Sequence, residues 1–360
     1  MSNKIAILHF NIIEKYPPVM NYIFNALEEN PSKKIIVFTT KNTTLYTTPC
    51  FPNTTIYRFG TISSNPIKRY ASYLWFNLMC IILLLINRIE KITVFETLSI
   101  FPFWVFSKIY NNIKGHIHFH EYISEPERMA SSAYMKGLFK LEDQLLKKYP
   151  CSQTNEDRKQ IFLTDKPFLK SEMVEVRPNM PPKSWWKNYG QFKKQSSDEI
   201  IRLVYVGAFD KQTMYVKELL DWVNANNEYL ELTIFSQELG KETQSFILAY
   251  NCKSIKLLQP IDYYDLPKEL VNFDIGLVLY KGNFPNHVYS VPNKVYEYLS
   301  CGLQVIVDQK LITTVRLDIE QIHVVDYTSL DLESIKKSIS KVAIKMSNYS
   351  HSERLFFEYE

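Results

Sequence analysis

The 360-residue sequence is long enough for about two domains, since a domain typically takes ~150 residues. Apolar residues make up 46% and charged residues 22%, a balance that excludes a disordered or fibrous chain and is typical of a globular one. The formal net charge of +4 is too small to indicate a nucleic-acid-binding protein.

The first half of the chain alternates short apolar runs with stretches of helical periodicity, which predicts strands connected by helices. The predicted strands are Lys4–Phe10, Lys34–Thr39, Thr54–Phe59, Ile92–Phe95, His116–His120 and Met173–Arg177. The predicted helices are Pro17–Glu29, Pro66–Arg88, Ile100–Asn111 and Ser132–Lys148. Alternation of this kind implies a parallel sheet that helices cover on both faces.

One of these helices contains an unusually long uncharged segment. Tyr70–Asn87 has 18 residues without a charged side chain and is bracketed by Arg69 and Arg88. This length is at the lower limit for a membrane span. The strand predicted directly after it favours a buried crossover helix of an α/β sheet, and contact with a bilayer surface is the alternative.

A proline-rich segment at Arg177–Pro182 interrupts the alternation and predicts a domain linker. The pattern then resumes. The predicted strands of the second half are Arg202–Gly207, Glu231–Ser236, Ser254–Leu258, Asp274–Tyr280, Gln304–Val307 and His323–Tyr327. The predicted helices are Tyr215–Asn224, Lys241–Tyr250, Leu266–Val271, Asn293–Ser300 and Asp331–Met346.

Together the two halves predict an α/β fold with two Rossmann-like, doubly wound parallel-sheet domains facing across a cleft. The first domain is expected to comprise residues 1–180 and the second residues 181–348, with the C-terminal tail 349–360 a candidate to return to the first domain. Open sheets of this kind bind ligands at the carboxyl ends of their strands. We therefore expect a ligand in the predicted cleft.

Glycine and cysteine positions exclude several common sites. No two of the nine glycines lie closer than six residues apart, whereas G-x-G-x-x-G, the P-loop and the nucleophile elbow each need a closer pair. The five cysteines include no C-x-x-C pair, which favours neither a disulfide framework nor a zinc site. Isolated cysteines are typical of a reducing compartment. Met1–Phe10 predicts a buried strand and not a secretory signal. Both observations indicate a cytoplasmic protein.

The most informative pattern lies near the C-terminal end of the second domain. A buried strand, an irregular 11-residue loop (Lys281–Val291) and a helix that begins after Pro292 and ends before Gly302 follow one another. The N-terminus of such a helix offers backbone N–H groups and the positive end of its dipole to an anion. The segment therefore predicts a phosphate-binding site.

Two charged residues of this helix support the prediction. Lys294 in the first turn is unfavourable for the helix dipole unless an anion binds nearby. Glu297 follows one turn later, where its carboxylate could accept hydrogen bonds from two vicinal ribose hydroxyls. A nucleotide with a diphosphate would satisfy both side chains.

The run from Pro292 to Ile306 resembles the nucleotide-sugar signature of GT-B glycosyltransferases, particularly glycosyltransferase family 4 and related transferases of bacterial polysaccharide synthesis. The resemblance implies that Glu297 holds the donor ribose and that Asn293 and Lys294 hold the diphosphate. It also implies that a phosphate approaches Gly207 closely. The implied donor-binding residues are Gly207, Lys211, Ile261, Tyr280, Pro292, Asn293, Lys294 and Glu297.

Three positions depart from the family's pattern. Tyr289 stands where family 4 usually has a second glutamate, and Gln304 replaces a usual proline. Ala208 follows Gly207 where basic residues are usual, which makes Lys211, and Lys217 further on, the nearby candidate substitutes. These departures favour, as an alternative, a degenerate subunit of the same fold that binds a partner transferase without catalysis.

In the first domain, His116, His118 and His120 alternate along a predicted strand, and Glu121 follows at its carboxyl edge. The run resembles the acceptor-side "HEY" run of the same enzymes, which implies that His120 and Glu121 are catalytic. The imidazole would contact the donor sugar, or one of the two side chains would take the acceptor proton as general base. A zinc site formed by the three histidines is a less favoured alternative.

The residues after Glu121 are also candidates for the acceptor site. They are predicted to form a loop and comprise Ser124, Glu125, Glu127 and Arg128.

The resemblance implies a metal-independent glycosyltransferase without a cofactor. It would move a sugar from a UDP-, GDP- or similar nucleotide sugar to a glycan or lipid-linked saccharide in bacterial surface polysaccharide synthesis. The manganese-binding motif D-x-D of the other large glycosyltransferase fold is absent from the sequence. The expected partners are the nucleotide sugar, the acceptor and the inner leaflet of the membrane, but no nucleic acid. A sugar-nucleotide 2-epimerase of the same fold is a second alternative.

Overall fold

The computed structural model describes residues 4–44, 46–190, 200–236, 239 and 241–337. The chain divides into two compact units, Met1–Asn179 and Met180–Glu360, each of which has its own sheet. The predicted tail 349–360 and the second half of the helix predicted at Asp331–Met346 lie outside the described residues.

The strands of the described residues are β1 (Lys4–Leu8), β2 (Lys34–Thr39), β3 (Thr54–Arg58), β4 (Lys91–Phe95), β5 (Lys114–His118), β6 (Cys151–Gln153), β7 (Val174–Val176), β8 (Ile201–Val206), β9 (Leu230–Phe235), β10 (Ile255–Leu258), β11 (Ile275–Val278), β12 (Gln304–Asp308) and β13 (Ile322–Val325).

Their α-helices are α1 (Pro17–Glu29), α2 (Pro66–Ile86), α3 (Ile100–Ile109), α4 (Glu125–Ala130), α5 (Ala133–Leu146), α6 (Glu156–Asp165), α7 (Lys183–Trp185), α8 (Val216–Ala225), α9 (Lys241–Leu248), α10 (Leu266–Leu270), α11 (Pro285–Val288), α12 (Asn293–Ser300) and α13 (Ile312–Val315). A further helix starts at residue 332.

The first unit has a seven-stranded sheet in the order β3-β2-β1-β4-β5-β6-β7 over the described residues, and each neighbouring pair is parallel. Ala6, Ile7 and Leu8 of β1 are fully buried, because crossover helices cover both faces of such a sheet. The strand order reverses between β1 and β4. Ligands of open α/β sheets bind at this kind of reversal, beyond the carboxyl ends of the two strands.

The second unit repeats the arrangement with a six-stranded parallel sheet in its described part, ordered β10-β9-β8-β11-β12-β13. Its strand order reverses between β8 and β11. The carboxyl ends of these two strands are therefore the expected ligand position in this unit. Two parallel-sheet α/β domains confirm the predicted fold class.

All twelve predicted strands are present, and their ends agree with the prediction to within two residues. Periodicity did not predict β6, whose three residues are too few to show a period. Helix α6 was not predicted either, although Asn155 caps it by accepting a hydrogen bond from the backbone N–H of Arg158 at 2.8 Å.

The predicted loop after Glu121 is wrong. Residues 125–130 form α4, which begins with a capping box between Ser124 and Glu127. Arg128 is buried, and its Nη1 lies 2.7 Å from the Glu142 carboxylate of α5. Because this guanidinium is used inside the unit, it is not placed to contact an acceptor.

Two further sequence predictions need correction. The loop Lys281–Val291 is not wholly irregular, since it contains the four-residue helix α11. The strand predicted as His116–His120 ends at His118, so His120 lies just beyond β5. This shift places His120 in the loop at the carboxyl edge of the sheet, beside the ends of β1 and β4.

Candidate functional site

In the second unit, Gly207 directly follows β8 at the strand-order reversal. Its φ of +114° lies in a region that side-chain-bearing residues rarely adopt, so the turn requires glycine. A Cβ atom built there would lie 3.5 Å from Nζ of Lys294 in α12. The end of β8 and the first turn of α12 therefore meet at this point.

Close packing between Gly276 and Tyr298 holds α12 in this position. Gly276 of β11 has no side chain, and the ring of Tyr298 lies so close that a Cβ atom would approach it to 2.1 Å. The Tyr298 hydroxyl accepts a hydrogen bond from the backbone N–H of Val206 at 3.2 Å. Because Tyr298 thus contacts both β8 and β11, the N-terminus of α12 is fixed near the ends of both strands.

Lys294 supplies positive charge at this end of the sheet. Its ammonium donates a hydrogen bond to the Tyr205 hydroxyl at 3.4 Å and lies over the rings of Tyr205 and Tyr280, 4.8 and 5.3 Å from their centroids. Burial opposes the charged form, but the surrounding tyrosines and Glu297 outweigh it and raise the pKa of Lys294. Within the described part of the chain, no carboxylate lies within ion-pair distance of this ammonium.

Glu297 lies one turn further along α12 and is only 6% exposed. Burial raises the pKa of its carboxyl group to about 7, although Lys294 and a hydrogen bond from Tyr263 oppose the shift. Sequence reasoning did not assign this role to Tyr263. A half-buried tyrosine that orients Glu297 leaves the carboxylate able to accept further hydrogen bonds.

The other predicted donor-binding residues of the second unit lie in different surroundings. Tyr280 stacks on His287 with ring centroids 4.5 Å apart, near Lys294. Pro292 and Asn293 form the start of α12, at the N-cap position and the first helical residue. Ile261 packs half-buried against the core beneath α12.

Lys211 has a partner within its own unit. Its ammonium lies 2.8 Å from the carboxylate of Glu242 and 4.8 Å from the ring centroid of Phe246. A phosphate at Lys211 would have to compete with this ion pair. The predicted role of Lys211 stays a prediction.

In the first unit, His120 and Glu121 follow β5 at the carboxyl edge of the sheet. His120 is 8% exposed and stacks on Phe95, with ring centroids 5.2 Å apart. Burial, helped by the neighbouring His118 and His9, lowers the pKa of His120 well below its usual value. His120 is therefore neutral at physiological pH, as a proton acceptor must be. Glu121 is exposed to solvent.

Glu96, which the sequence analysis missed, organises this edge. It follows β4, and its Oε1 accepts hydrogen bonds from the backbone N–H groups of His120 at 2.5 Å and Glu121 at 3.3 Å. Its φ of +65° and ψ of 157° are strained for any residue except glycine. Burial raises the pKa of Glu96 to about 8, more than these two hydrogen bonds lower it. A polar residue directly after a buried strand was the available signal.

Four buried histidines lie near the carboxyl edge of the first unit's sheet and are here called the histidine cluster: His9, His116, His118 and His120. Rings of His118 and His120 lie 4.9 Å apart, and His9 lies 6.3 Å from His120. Burial lowers the pKa of His9 to about 3, of His116 to about 2 and of His118 to about 4.

Two members of the histidine cluster, His116 and His118, are held by side-chain hydrogen bonds. The Ser152 hydroxyl of β6 lies 2.8 Å from Nε2 of His116 and 2.7 Å from Nδ1 of His118. Nε2 of His118 lies 3.3 Å from Oδ1 of Asn179. Among the described residues, no group of three His, Cys, Asp or Glu side chains is arranged to hold a metal ion, so the geometry does not support the zinc alternative.

Solved structures of three other proteins resemble the whole chain. Sucrose-phosphate synthase from Thermosynechococcus elongatus is 14% identical, with a TM-score of 0.64 over 95% of this chain and 90% of that one. The lipopolysaccharide outer core galactosyltransferase WaaB is 11% identical, with a TM-score of 0.59 over 94% and 91%. A putative UDP-N-acetylglucosamine 2-epimerase from Listeria monocytogenes is 10% identical, with a TM-score of 0.56 over 98% and 90%.

The chain has the GT-B fold. No protein-family model and no curated protein sequence matches it. At these identities the likeness shows the fold alone, since one fold serves several activities. Within the GT-B fold, the chemistry has to be argued from the residues at the two strand-order reversals.

Proposed function

We propose that this chain is a glycosyltransferase that uses a nucleotide-diphosphate sugar as donor. The observation that carries the proposal is the ammonium of Lys294, which has no ion-pair partner among the described residues and lies against Gly207 at the start of α12. A cation at the N-terminus of a helix opposes the helix dipole. A bound diphosphate would compensate both positive charges at once.

The donor diphosphate would lie against the first turn of α12. Gly207 leaves room for close approach to the end of β8, and the N–H groups of the first turn of a helix have no partner within the helix. Lys294 and the helix dipole would stabilise the negative charge that develops on the leaving diphosphate. With this charge supplied by the chain itself, the proposed reaction is metal-independent.

Glu297 would hold the donor ribose. Its carboxyl group is buried and oriented by Tyr263, one turn along the helix from Lys294. Charge-assisted hydrogen bonds to two vicinal hydroxyls are worth about 1.5–3 kcal/mol. Pro292, Lys294 and Glu297 have the same spacing as the corresponding residues of the GT-B signature, and this agreement supports the assignment.

The proposed reaction uses the edge of the first unit to activate the acceptor. An acceptor hydroxyl attacks the anomeric carbon of the sugar, the bond from that carbon to the diphosphate oxygen breaks, and the nucleoside diphosphate leaves. His120 or Glu121 takes the hydroxyl proton as general base. The fixed backbone of both residues at the carboxyl edge of the sheet supports this role.

We further propose that the acceptor is a glycan or a lipid-linked saccharide of bacterial surface polysaccharide synthesis and that the enzyme works in the cytoplasm. The likeness to a galactosyltransferase of the lipopolysaccharide outer core supports this choice at the level of the fold. A titration calorimeter with a panel of UDP-, GDP- and CMP-sugars tests the donor site first. We expect UDP-sugars or GDP-sugars to bind, and CMP-sugars, which carry a single phosphate, not to bind.

Two lysine variants test the role of Lys294 in donor binding. Lys294→Met should weaken the binding of the nucleotide sugar about ten- to a hundredfold, as expected for a lost charge-assisted contact. Lys217→Met is the matched control, because Lys217 is exposed and pairs with Asp221 on the surface of α8. Equal affinities of the two variants would contradict the donor site. Binding of no nucleotide sugar would favour the degenerate, non-catalytic subunit.

A second candidate, a sugar-nucleotide 2-epimerase, has one supporting observation. The Listeria monocytogenes protein that shares the fold is a putative UDP-N-acetylglucosamine 2-epimerase. Nuclear magnetic resonance of the donor after incubation without an acceptor separates the two. Inversion at C2 of the sugar would favour the epimerase, whereas slow release of the nucleoside diphosphate, accelerated by acceptor, would favour the transferase.

A further inference from the structure

Helix α2 exposes a continuous apolar face to solvent. The helix has 21 residues, and an 18-residue window within it has a mean hydropathy of 1.6, yet only 28% of that window is buried. The large apolar side chains on this face are between 39% and 81% exposed and comprise Ile67, Tyr70, Leu74, Trp75, Leu78, Ile82, Leu85 and Ile86. Their spacing of three, four, seven and eight residues puts them in one stripe.

The opposite face of α2 belongs to the core of the first unit. Phe76, Cys80 and Leu84 are fully buried there, and Tyr73 is 5% exposed. For α2 to cross a membrane, these side chains would have to leave the core. The sequence prediction of a buried crossover helix is therefore right for this face, and the exposed face needs a different explanation.

Large exposed apolar patches on globular proteins mark contacts with other proteins or with membranes. The charges around the exposed face of α2 distinguish these two. Lys68 and Arg69 lie in its first turn and Arg88 lies just after its end, all three exposed. From residue 66 to residue 89 there is no acidic side chain. Cations bordering an apolar stripe are complementary to an anionic lipid surface.

Aromatic side chains at the exposed face of α2 also favour a lipid surface as the partner. Trp75 and Tyr70 are each about half exposed, and the ring of Tyr134 from α5 lies 5.8 Å from that of Tyr70. Indole and phenol rings prefer the boundary between lipid headgroups and acyl chains. The N-terminal half of α2 thus combines exposed aromatic rings with two cations.

We propose that the exposed face of α2 docks on an anionic lipid bilayer, with the helix lying in the plane of the membrane surface. Its apolar stripe enters the acyl boundary while the buried face stays in the core. The lysine and arginine side chains reach the headgroups. This inference concerns where the protein works and does not rest on the proposed transferase activity.

Flotation of the full-length protein with vesicles tests the proposal. The vesicles contain phosphatidylcholine alone or phosphatidylcholine mixed with phosphatidylglycerol. We expect flotation with the mixed vesicles, weaker flotation with neutral vesicles, and a loss on adding salt. A triple variant, Trp75→Ser, Leu78→Ser and Ile82→Ser, should bind the mixed vesicles at least about tenfold more weakly.

Two controls make the test specific. A triple variant in the second unit, Leu248→Ser, Leu258→Ser and Val324→Ser, removes equally exposed apolar side chains and should float like the unchanged protein. The double variant Lys68→Glu, Arg69→Glu should lose the preference for phosphatidylglycerol.

Three results would overturn the proposal: no flotation of the unchanged protein with either vesicle, equal flotation of both triple variants, or self-association that the α2 triple variant abolishes without any vesicle binding. The last result would make a second copy of the chain the partner.

Discussion

The carboxyl group of Glu96 accepts a hydrogen bond from the backbone N–H of His120 at 2.5 Å. The same oxygen lies 3.3 Å from the backbone nitrogen of Glu121. One side chain at the end of β4 therefore positions both residues that the sequence predicted to be catalytic. Glu96 makes these contacts from a backbone conformation with φ of +65°, which costs of the order of 1–3 kcal/mol. Strain of this kind is retained where a site depends on it.

Substituting Glu96 should separate strain from positioning. Glu96→Gly relieves the backbone strain while losing two hydrogen bonds of about 1 kcal/mol each, so we expect its free energy of unfolding to change by less than about 1 kcal/mol. Glu96→Ala keeps the strain and loses the bonds, and should be about 1–3 kcal/mol less stable than Glu96→Gly. Both should lose most transferase activity. Urea unfolding measures the stabilities, and equal stabilities of the two variants would contradict strain at this position.

Protein stability should be greatest close to neutral pH. The histidine cluster has folded-state pKa values far below the ordinary 6.5, so the unfolded chain binds more protons and stability rises with pH up to about 6.5. Glu96 and Glu297, with pKa values raised from 4.5 to about 8 and about 7, bind more protons in the folded chain, so their contribution to stability is lost progressively from about pH 4.5 upward. Above about pH 6.5 the histidines no longer offset this loss, and stability falls towards pH 8.

Urea unfolding across this pH range measures the effect. Glu96→Gln should flatten the decline above neutral pH and steepen the rise between about pH 4.5 and 6.5, because its amide does not titrate and the loss that Glu96 contributes from pH 4.5 upward disappears. A stability that still falls equally steeply in Glu96→Gln would assign the decline to other groups.

Gly276 should not tolerate a side chain. A Cβ atom there would lie 2.1 Å from the ring of Tyr298, which itself anchors α12. Displacing a fully buried ring costs about 1–3 kcal/mol or more, so Gly276→Ala should lower the free energy of unfolding by at least that amount. The matched control is Gly137→Ala in α5, where nothing lies within 4 Å of the added atom and helix propensity predicts a gain of about 0.5–1 kcal/mol. Equal effects of the two substitutions would contradict this account.

Much of the fold could be predicted because its elements follow local rules. The run from Pro292 to Gly302 predicted α12 residue for residue, since proline and glycine mark the two ends of a helix. Alternation of apolar strands and helices predicted both sheets. The capping box at Ser124 carried the same kind of information about α4, and the sequence analysis did not use it.

The candidate site was less predictable because its geometry depends on contacts between distant segments. Glu96 reaches His120 only because β4 and β5 are paired, and its positive φ has no signature in the sequence. The hydrogen bond from Tyr263 to Glu297 joins residues 34 positions apart. A motif indicates which residue types gather, whereas burial and orientation follow from the packed structure.

Donor binding should weaken as pH falls through about 7. The carboxyl group of Glu297 has its pKa raised to about 7, and only its ionised form makes charge-assisted hydrogen bonds to a ribose. The protonated fraction grows below that pH, so the affinity for a nucleotide-diphosphate sugar should drop about tenfold from pH 8 to pH 6. Lys294 stays charged over this range because its pKa is raised, so it adds no pH dependence to the affinity.

Glu297→Gln should bind with an affinity that hardly changes with pH, and Glu297→Ala should lose about 1.5–3 kcal/mol of binding at pH 8. Titration calorimetry with the three proteins decides this: a flat profile for the unchanged chain, or a sloping one for Glu297→Gln, would remove Glu297 from the donor site.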